Sequence, residues 1–274
     1  MSISCADFEY ICQLVRVRTG IVLAKDKMYL VESRLAPVAS AANVDSLRKL
    51  VQILRQERFS SLHEFVVEAM VTTETSFFRD DYPFQALHKL MLPELFRVRQ
   101  SEGKLNLWCA ACSSGQEPYS IAILLREHFS QLTNSTVQLI ATDISTSMLA
   151  RARAGRYNQH EITRGLPSAL LQKYFLPQGK DWQIKENIRQ MVEFRQLNLA
   201  ESWSPMPQMD IIFLRNVLIY FDIETKQTIL GKVKRVLHPE GYLFLGGGET
   251  TINLDTDFEP VKFDKAVCYR LRSS

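Results

Sequence analysis

A chain of 274 residues, 46% hydrophobic and 23% charged, holds enough apolar material for one large domain or a medium domain with a smaller one. Its formal net charge of +3 neither requires nor excludes a nucleic-acid partner. No apolar run reaches the roughly 18 residues of a membrane span, and the start, MSISCADFEYICQLV, carries Asp7 and Glu9 without a basic stretch, so neither a transmembrane helix nor a secretory signal is expected.

The first seventy residues read as short helices. CADFEYICQLVRVRTG sets Phe8, Ile11, Cys12 and Val15 at helical spacing and stops at Gly20, a C-cap signal. KMYLVESRLAPVASAAN repeats the pattern up to Pro37, where a break is expected before a short tail. DSLRKLVQILRQE begins with Asp45 or Ser46 as N-cap and carries Leu47, Leu50, Val51 and Leu54 as its apolar face. SLHEFVVEAMV follows Ser60 or Ser61, with Glu64 in its first turn.

From Leu105 the pattern changes. KLNLWCAA, TVQLIATD, MVEFRQLNL, MDIIFLRNVLIYF, GYLFLGGGE and AVCYRL are strand-like runs, most of them separated by helical segments, which predicts a mainly parallel sheet covered by helices. The last two runs are joined by TTINLDTDFEPVKF, read as a loop, and are expected to pair antiparallel. Between helix and strand, YFLPQGKDWQIKENIRQMVEF alternates, with Asn187 as a turn, and reads as a small antiparallel insertion.

The five cysteines are scattered and odd in number, which fits reduced thiols. Cys109 and Cys112 form a CxxC with no second pair to complete a zinc site, so they read as small residues ending a buried strand, and no metal is expected.

The chemistry concentrates around LWCAACSSGQEPYS, where an apolar strand passes through small residues into a helix. A dinucleotide loop needs several glycines, and only Gly115 stands here. Glu117 in the first helical turn repels a phosphate and suits a cationic or hydroxyl-bearing ligand, while Pro118 fits that turn. Asp143, 28 residues beyond Gly115, ends the next strand. It either accepts ribose hydroxyls or, like Ser145, caps the following helix. A ligand with ribose and positive charge but no pyrophosphate is S-adenosylmethionine.

TTETSFFRD (72–80), CSSGQEPYSIA (112–122), ATDIS (141–145) and LRNVLIYFD (214–222) occur in this order, and together they resemble the CheR family of chemotaxis-receptor methyltransferases over essentially the whole chain. The resemblance implies an α/β fold, a Rossmann-like S-adenosylmethionine methyltransferase sheet with a small β-subdomain insertion near 174–195, plus an all-helical N-terminal domain. Its boundaries are expected at 1–70 for the helical domain, 71–90 for a linker contributing to the cofactor site and 91–274 for the methyltransferase domain. It implies methyl transfer from S-adenosylmethionine to glutamate carboxylates on the cytoplasmic helices of chemoreceptors, by a cytoplasmic monomer that binds no nucleic acid and inserts into no membrane. The alternative is a methyltransferase acting on another protein or a small molecule.

Carried over by position, the resemblance implies that Thr73, Thr75 and Arg79 wrap the cofactor, with Arg79 on its carboxylate. Glu117 is expected at its ammonium or methionine end, Asp143 on the ribose, and Asn198 and Leu199 on the adenine side. Arg215 and Asn216 stand beside the transferred methyl, and Tyr220 contacts the acceptor glutamate. The family often has Asn where this chain has Thr73, which puts a direct polar contact there in question. Phe77 and Phe78 read as core, and Arg215 without the motif reads as a sheet-end ion pair. Arg48 and Arg55 share a helical face that could dock glutamate-rich receptor helices. The insertion has only Gly179 as turn glycine, and the enzyme is read as independent of a receptor C-terminal pentapeptide.

A nicotinamide oxidoreductase would need a glycine-rich loop that CAACSSGQE lacks, and a nucleic-acid methyltransferase would call for a strongly basic surface or an NPPY-like motif where RNVLIYF stands.

Overall fold

The computed structural model describes residues 3–98, 104–129 and 136–272. The chain divides into two compact units, Met1–Thr72 with Tyr220–Thr225, and Thr73–Ile219 with Lys226–Ser274.

The first unit is built on four helices, α1 (Cys5–Thr19), α2 (Met28–Ala41), α3 (Leu47–Gln56) and α4 (Ser61–Met70). Ser4 caps α1 and Gly20 closes it in the left-handed region at φ 75°. Ser46, not Asp45, is the N-cap of α3 and accepts from Lys49 N at 3.2 Å. Ser60 forms a capping box with His63, which is buried and reaches Leu54 O at 2.9 Å. The break expected at Pro37 is corrected. Pro37 lies inside α2 on its exposed side, so the carbonyl left without an N–H faces water, while Val31, Leu35 and Ala39 keep the buried stripe continuous. The segment 220–225 joins this unit through an Ile21–Phe221 bridge, a Val22 N–H to Tyr220 O bond of 2.9 Å and an Arg16–Asp222 ion pair of 2.8 Å.

The second unit opens with α5 (Tyr82–Ala86), continues through one π-helical turn, Leu87–Met91, and ends the helical stretch with α6 (Leu92–Val98). The α/β succession that follows runs β1 (Leu105–Ala110), α7 (Gln116–His128), β2 (Val137–Asp143), α8 (Thr146–Ala154), β3 (Arg156–Asn158), α9 (Gln159–Thr163), α10 (Ser168–Tyr174), β4 (Phe175–Gln178), β5 (Asp181–Ile184), α11 (Glu186–Arg189), β6 (Val192–Gln196), β7 (Met209–Leu214), α12 (Ile223–Val236), β8 (Leu237–Leu245), β9 (Phe258–Phe263) and β10 (Ala266–Leu271).

Seven strands form one sheet in the order β6-β2-β1-β7-β8-β10-β9, parallel from β6 to β8 and antiparallel at β10 and β9. Every residue of β7 is buried, as a central parallel strand requires. Phe213 and Phe244 stack at 4.6 Å on adjacent strands, and Phe77 meets Tyr157 and Phe175 edge-on. Phe77 is therefore core, and Phe78 packs partly buried against it.

Three strand expectations are corrected. TTINLDTDFEPVKF contains the edge strand β9, in which exposed Glu259, Pro260 and Lys262 break the period-two pattern of its apolar positions. Asn187 lies in α11 and not in a turn, and Val192–Gln196 pairs with β2 in the main sheet. The small sheet, ordered β3-β5-β4, draws its third strand from Arg156–Asn158 and turns at Gly179, φ 63°.

Candidate cofactor site at the strand ends

From β1 the chain steps outward to β2 and β6 on one side, and later to β7 and β8 on the other. The reversal of strand order between β1 and β7 opens a crevice at their carboxyl ends, where α/β sheets bind ligands. The register aligns Ala110 with Thr142 and Leu214, and Leu214 with Leu245, so the loops after all four strands meet at one edge.

The loop after β1 is tightly wound. Ala111, Ser113 and Gly115 all have positive φ, at 56°, 51° and 93°, and a Cβ on Gly115 would stand 3.0 Å from the Ala152 methyl. Two bonds hold the loop. Ser113 N–H donates to Asp143 Oδ2 at 2.7 Å, and Ser113 Oγ–H donates to Thr73 O at 2.7 Å. Asp143 is buried at the end of β2, and its other oxygen accepts Ser145 N–H at 2.9 Å. The helix cap itself is Ser145, which accepts from Met148 N. Of the two readings of Asp143, the helix cap falls to Ser145, and the bonds of Asp143 tie the loop after β1 to the end of β2.

Arg215 follows β7 with its side chain 1% exposed. Its guanidinium donates to Glu117 Oε2 at 2.7 Å, to Asp80 Oδ2 at 2.7 Å and to Arg79 O at 2.9 Å. Its buried Nε has no partner. Burial pushes the Glu117 carboxyl above the usual carboxylate range, with the Glu249 charge adding to the rise and Arg215 and Arg79 opposing it. The crevice thus holds an anion whose charge is under-compensated, which is the electrostatics a cation-bearing ligand meets favourably. Small residues in the loop give close approach, and no glycine-lined cradle for a pyrophosphate is built. An adenosine with a sulfonium and an amino-acid tail fits this donor set.

Beyond β2 and β6 lies a cleft of about 370 Å³ lined by Thr142, Ile144, Asn198, Trp203 and Met206 among others. The Asn198 side chain accepts from Ala200 N at 3.0 Å, and Leu199 is buried. Lys232 holds this turn. Its ammonium donates to Leu199 O and to Glu201 O, and it lies 4.9 Å from the Trp203 ring centroid.

Within the second unit, the structure therefore brings together Thr73, Arg79, Glu117, Asp143, Arg215 and Asn216, with Asn198 and Leu199 on the neighbouring strand end. Thr75 is half-buried in the segment that carries Thr73, and the Arg79 guanidinium donates to Glu74 O at 3.4 Å. Tyr220 belongs to the segment grouped with the helical unit. The basic face expected at Arg48 and Arg55 is reduced. Arg55 is drawn to the start of α1, where it donates to Ala6 O at 2.8 Å and pairs with Asp7 at 3.3 Å. Cys109 and Cys112 are buried, and burial holds both thiols well above their ordinary range. Asp80, Lys232 and Glu249 escaped the sequence reading. Asp80 was within the TTETSFFRD motif and Glu249 ended a glycine run, but Lys232 carries no local signal.

Residues 73–267 match the S-adenosylmethionine-binding domain of CheR methyltransferases, and residues 6–71 match the CheR all-alpha domain. The chain belongs to the CheR methyltransferase family. Chemotaxis protein methyltransferase 1 of Pseudomonas aeruginosa is 43% identical over 277 residues, spanning 99% of this chain and 100% of the relative. Chemotaxis protein methyltransferase Cher2 of Pseudomonas putida is 40% identical over the same shares. Chemotaxis protein methyltransferase 1 of Vibrio cholerae is 38% identical, covering 99% of each chain. This CheR-family chain is an S-adenosylmethionine-dependent methyltransferase, and the strand-end crevice lies wholly within its cofactor-binding domain. No helix among the described residues is long and apolar enough to cross a membrane.

Proposed function

We propose that this protein transfers the methyl of S-adenosylmethionine to side-chain carboxylates of glutamates on the cytoplasmic helices of chemoreceptors. The observation that carries the proposal is the buried Glu117–Arg215 ion pair, joined by the half-exposed Asp80, at the strand-order reversal, in a chain matching chemotaxis methyltransferases over its full length.

S-adenosylmethionine supplies an electrophilic methyl on a sulfonium. Asp143 takes the ribose, Glu117 the ammonium and Arg79 the carboxylate, with Thr73 and Thr75 wrapping the tail and Asn198 and Leu199 flanking the adenine. Arg215 and Asn216 lie beside the transferred methyl, and Tyr220 contacts the acceptor. A glutamate is ionised at neutral pH and attacks as it stands, so no general base is required. The residues act by aligning donor and acceptor and by excluding water while opposite charges cancel. Residues 1–70 form the receptor-facing helical domain, residues 71–90 the linker and 91–274 the catalytic domain. Within the first, Arg48 is the stronger docking candidate because Arg55 is engaged with Asp7. The enzyme works as a cytoplasmic monomer.

Capture of a receptor tail by strand addition is disfavoured at the small sheet. The Lys185 N–H to Tyr174 O bond sets the alternation, so Phe175 and Pro177 face the open edge of β4. Phe175 N–H is taken by Leu171 O, and proline has no N–H. On the opposite edge, Asn158 N–H is taken by Glu161 Oε2. The β4 edge thus offers an incoming strand no N–H at Phe175 or Pro177, and the β3 edge none at Asn158, which supports tail-independent methylation.

The test is transfer of a tritiated methyl to purified receptor cytoplasmic fragments, with and without their C-terminal tails. Base-labile label, lost as methanol, at equal rates on both fragments is expected. Absence of label, or label stable to base, would refute carboxylate methylation, and strict dependence on the tail would refute the reading of the sheet edges.

A further inference from the structure

The loop after β7 is held by a residue that no local pattern marks. Glu249, in the turn after β8, accepts four backbone N–H groups. Its Oε2 takes Asn216 and Gly246, both at 2.7 Å, and its Oε1 takes Val217 at 2.9 Å and Ile219 at 3.2 Å. Hydrogen bonds to a carboxylate are about twice as strong as neutral ones, and here four converge on one group. Three of the donors belong to one short stretch, whose first residue, Asn216, sits in the left-handed region at φ 58°.

Gly246 contributes room. A Cβ there would stand 2.5 Å from Asn216 Nδ2, 2.8 Å from Asn216 N and 2.7 Å from Glu249 Oε2. The glycine therefore serves the close approach of the Asn216 amide, at the end of the strand that pairs with β7.

We propose that Glu249 and Gly246 are a positioning pair for methyl transfer: the carboxylate gathers the amides of Asn216, Val217 and Ile219, and the glycine admits the Asn216 side chain, fixing the loop next to Arg215. The inference rests on the methyl-transfer reading above and deepens it. With these amides turned to Glu249, the loop presents none of them to an incoming carboxylate. The acceptor is thereby spared hydrogen bonds that would stabilise its ground state and blunt its attack.

Glu249→Gln keeps the shape but replaces one acceptor oxygen with an NH2 group, so the four amides can no longer all be satisfied. Gly246→Ala perturbs the same loop independently by displacing Asn216. Both variants are to be compared with the parent in three measurements: calorimetric affinity for S-adenosylhomocysteine, kcat and KM for methylation of a receptor fragment, and amide hydrogen exchange. The expected result is an affinity within about twofold of the parent and a kcat lower by about tenfold or more, on the scale that misplacement by a fraction of an ångström produces. In Glu249→Gln, exchange at Asn216, Val217 and Ile219 should also quicken by about tenfold or more. Unchanged kcat in both variants, or loss of S-adenosylhomocysteine affinity in step with kcat, would overturn the positioning role. If the parent methylates no receptor fragment, the proposed function fails instead. Exchange then decides the loop separately, because unprotected amides at Asn216, Val217 and Ile219 in the parent would remove the premise.

Discussion

Replacing Glu117 with Gln tests the electrostatics of the crevice directly. The Glu117 carboxylate lies 2.7 Å from the Arg215 guanidinium with its side chain 12% exposed, whereas Asp80, the second partner, is 52% exposed. Charges about 4 Å apart attract by about 4 kcal/mol at an effective dielectric of about 20. Taking each ion out of water costs several kcal/mol, so the attraction and the desolvation nearly cancel. The sign is set by burial, which raises the carboxyl above its unfolded value. A raised carboxylate favours the protonated fold, so the parent loses stability as pH climbs from the ordinary carboxylate range through the raised value. Glu117→Gln lacks that loss and keeps an oxygen for Arg215, which retains Asp80. It should therefore match the parent in acid and be equal or more stable, by up to about 2 kcal/mol, at pH 8. Asp80→Asn should change stability by under about 1 kcal/mol, because its pair is half in water. The double variant leaves Arg215 buried without a carboxylate and should lose about 3 kcal/mol, far from additive. Urea unfolding followed by tryptophan emission reads this cleanly, since Trp108, Trp182 and Trp203 all lie in the methyltransferase unit. Affinity for S-adenosylhomocysteine should meanwhile fall about tenfold or more in Glu117→Gln, the scale of a charged hydrogen bond. A variant less stable than the parent at pH 8 yet equal in cofactor affinity would refute the reasoning.

Asp143→Asn leaves one oxygen to serve both Ser113 N–H and Ser145 N–H, so S-adenosylhomocysteine affinity measured by calorimetry should drop by about tenfold or more. Lys232 has its pKa pulled down to about 8, chiefly by burial and then by Arg235, against Glu201. Its charged form is disfavoured in the fold, so its contribution to stability improves as pH rises from about 8 toward the unfolded lysine value. Trp203 emission should titrate with a midpoint near pH 8 in the parent and stay flat in Lys232→Met. Gly165→Ala would set a Cβ 2.1 Å from Phe77 O at a φ of 93°, and should cost about 2 to 4 kcal/mol in the same urea assay, with a normal unfolding midpoint counting against the close packing.

The legible part of the sequence was what neighbouring residues encode. The cap at Ser46, the stop at Gly20 and the parallel run through β7 are local signals, and the structure follows them. So were Glu117, Asp143 and Arg215 as members of short motifs at strand ends. What escaped depends on distant partners or on exposure. Pro37 is tolerated because it faces water, β9 hides because Glu259, Pro260 and Lys262 interrupt its apolar alternation, and β3 is three residues long. Arg215 could be read as a site residue, yet its pairing with Asp80 spans 135 positions. Glu249 lies 33 positions from the Asn216 amide it holds.

Strain and charge coincide at this edge of the sheet. Among the described residues, nine without the freedom of glycine have positive φ, and six of them are Phe78, Asp80, Asp81, Ala111, Ser113 and Asn216, in the three segments around the crevice. Such conformations cost of order 1 kcal/mol each and persist only where the surroundings hold them. Carboxylates supply much of that hold. Asp143 takes the Ser113 amide, Glu249 takes the Asn216 amide, and Glu117 fixes Arg215, which in turn grips Arg79 O and the Asp80 side chain. Asp143 ends β2 and Glu117 stands in the first turn of α7, while Glu249 lies in the turn four residues beyond β8, itself tied back to Gly246 N at the end of that strand, so the regular parts of the fold set the positions of the irregular ones. The loops are thus shaped before any ligand arrives. For a reaction that requires alignment and no proton transfer, that is the contribution the protein has to make.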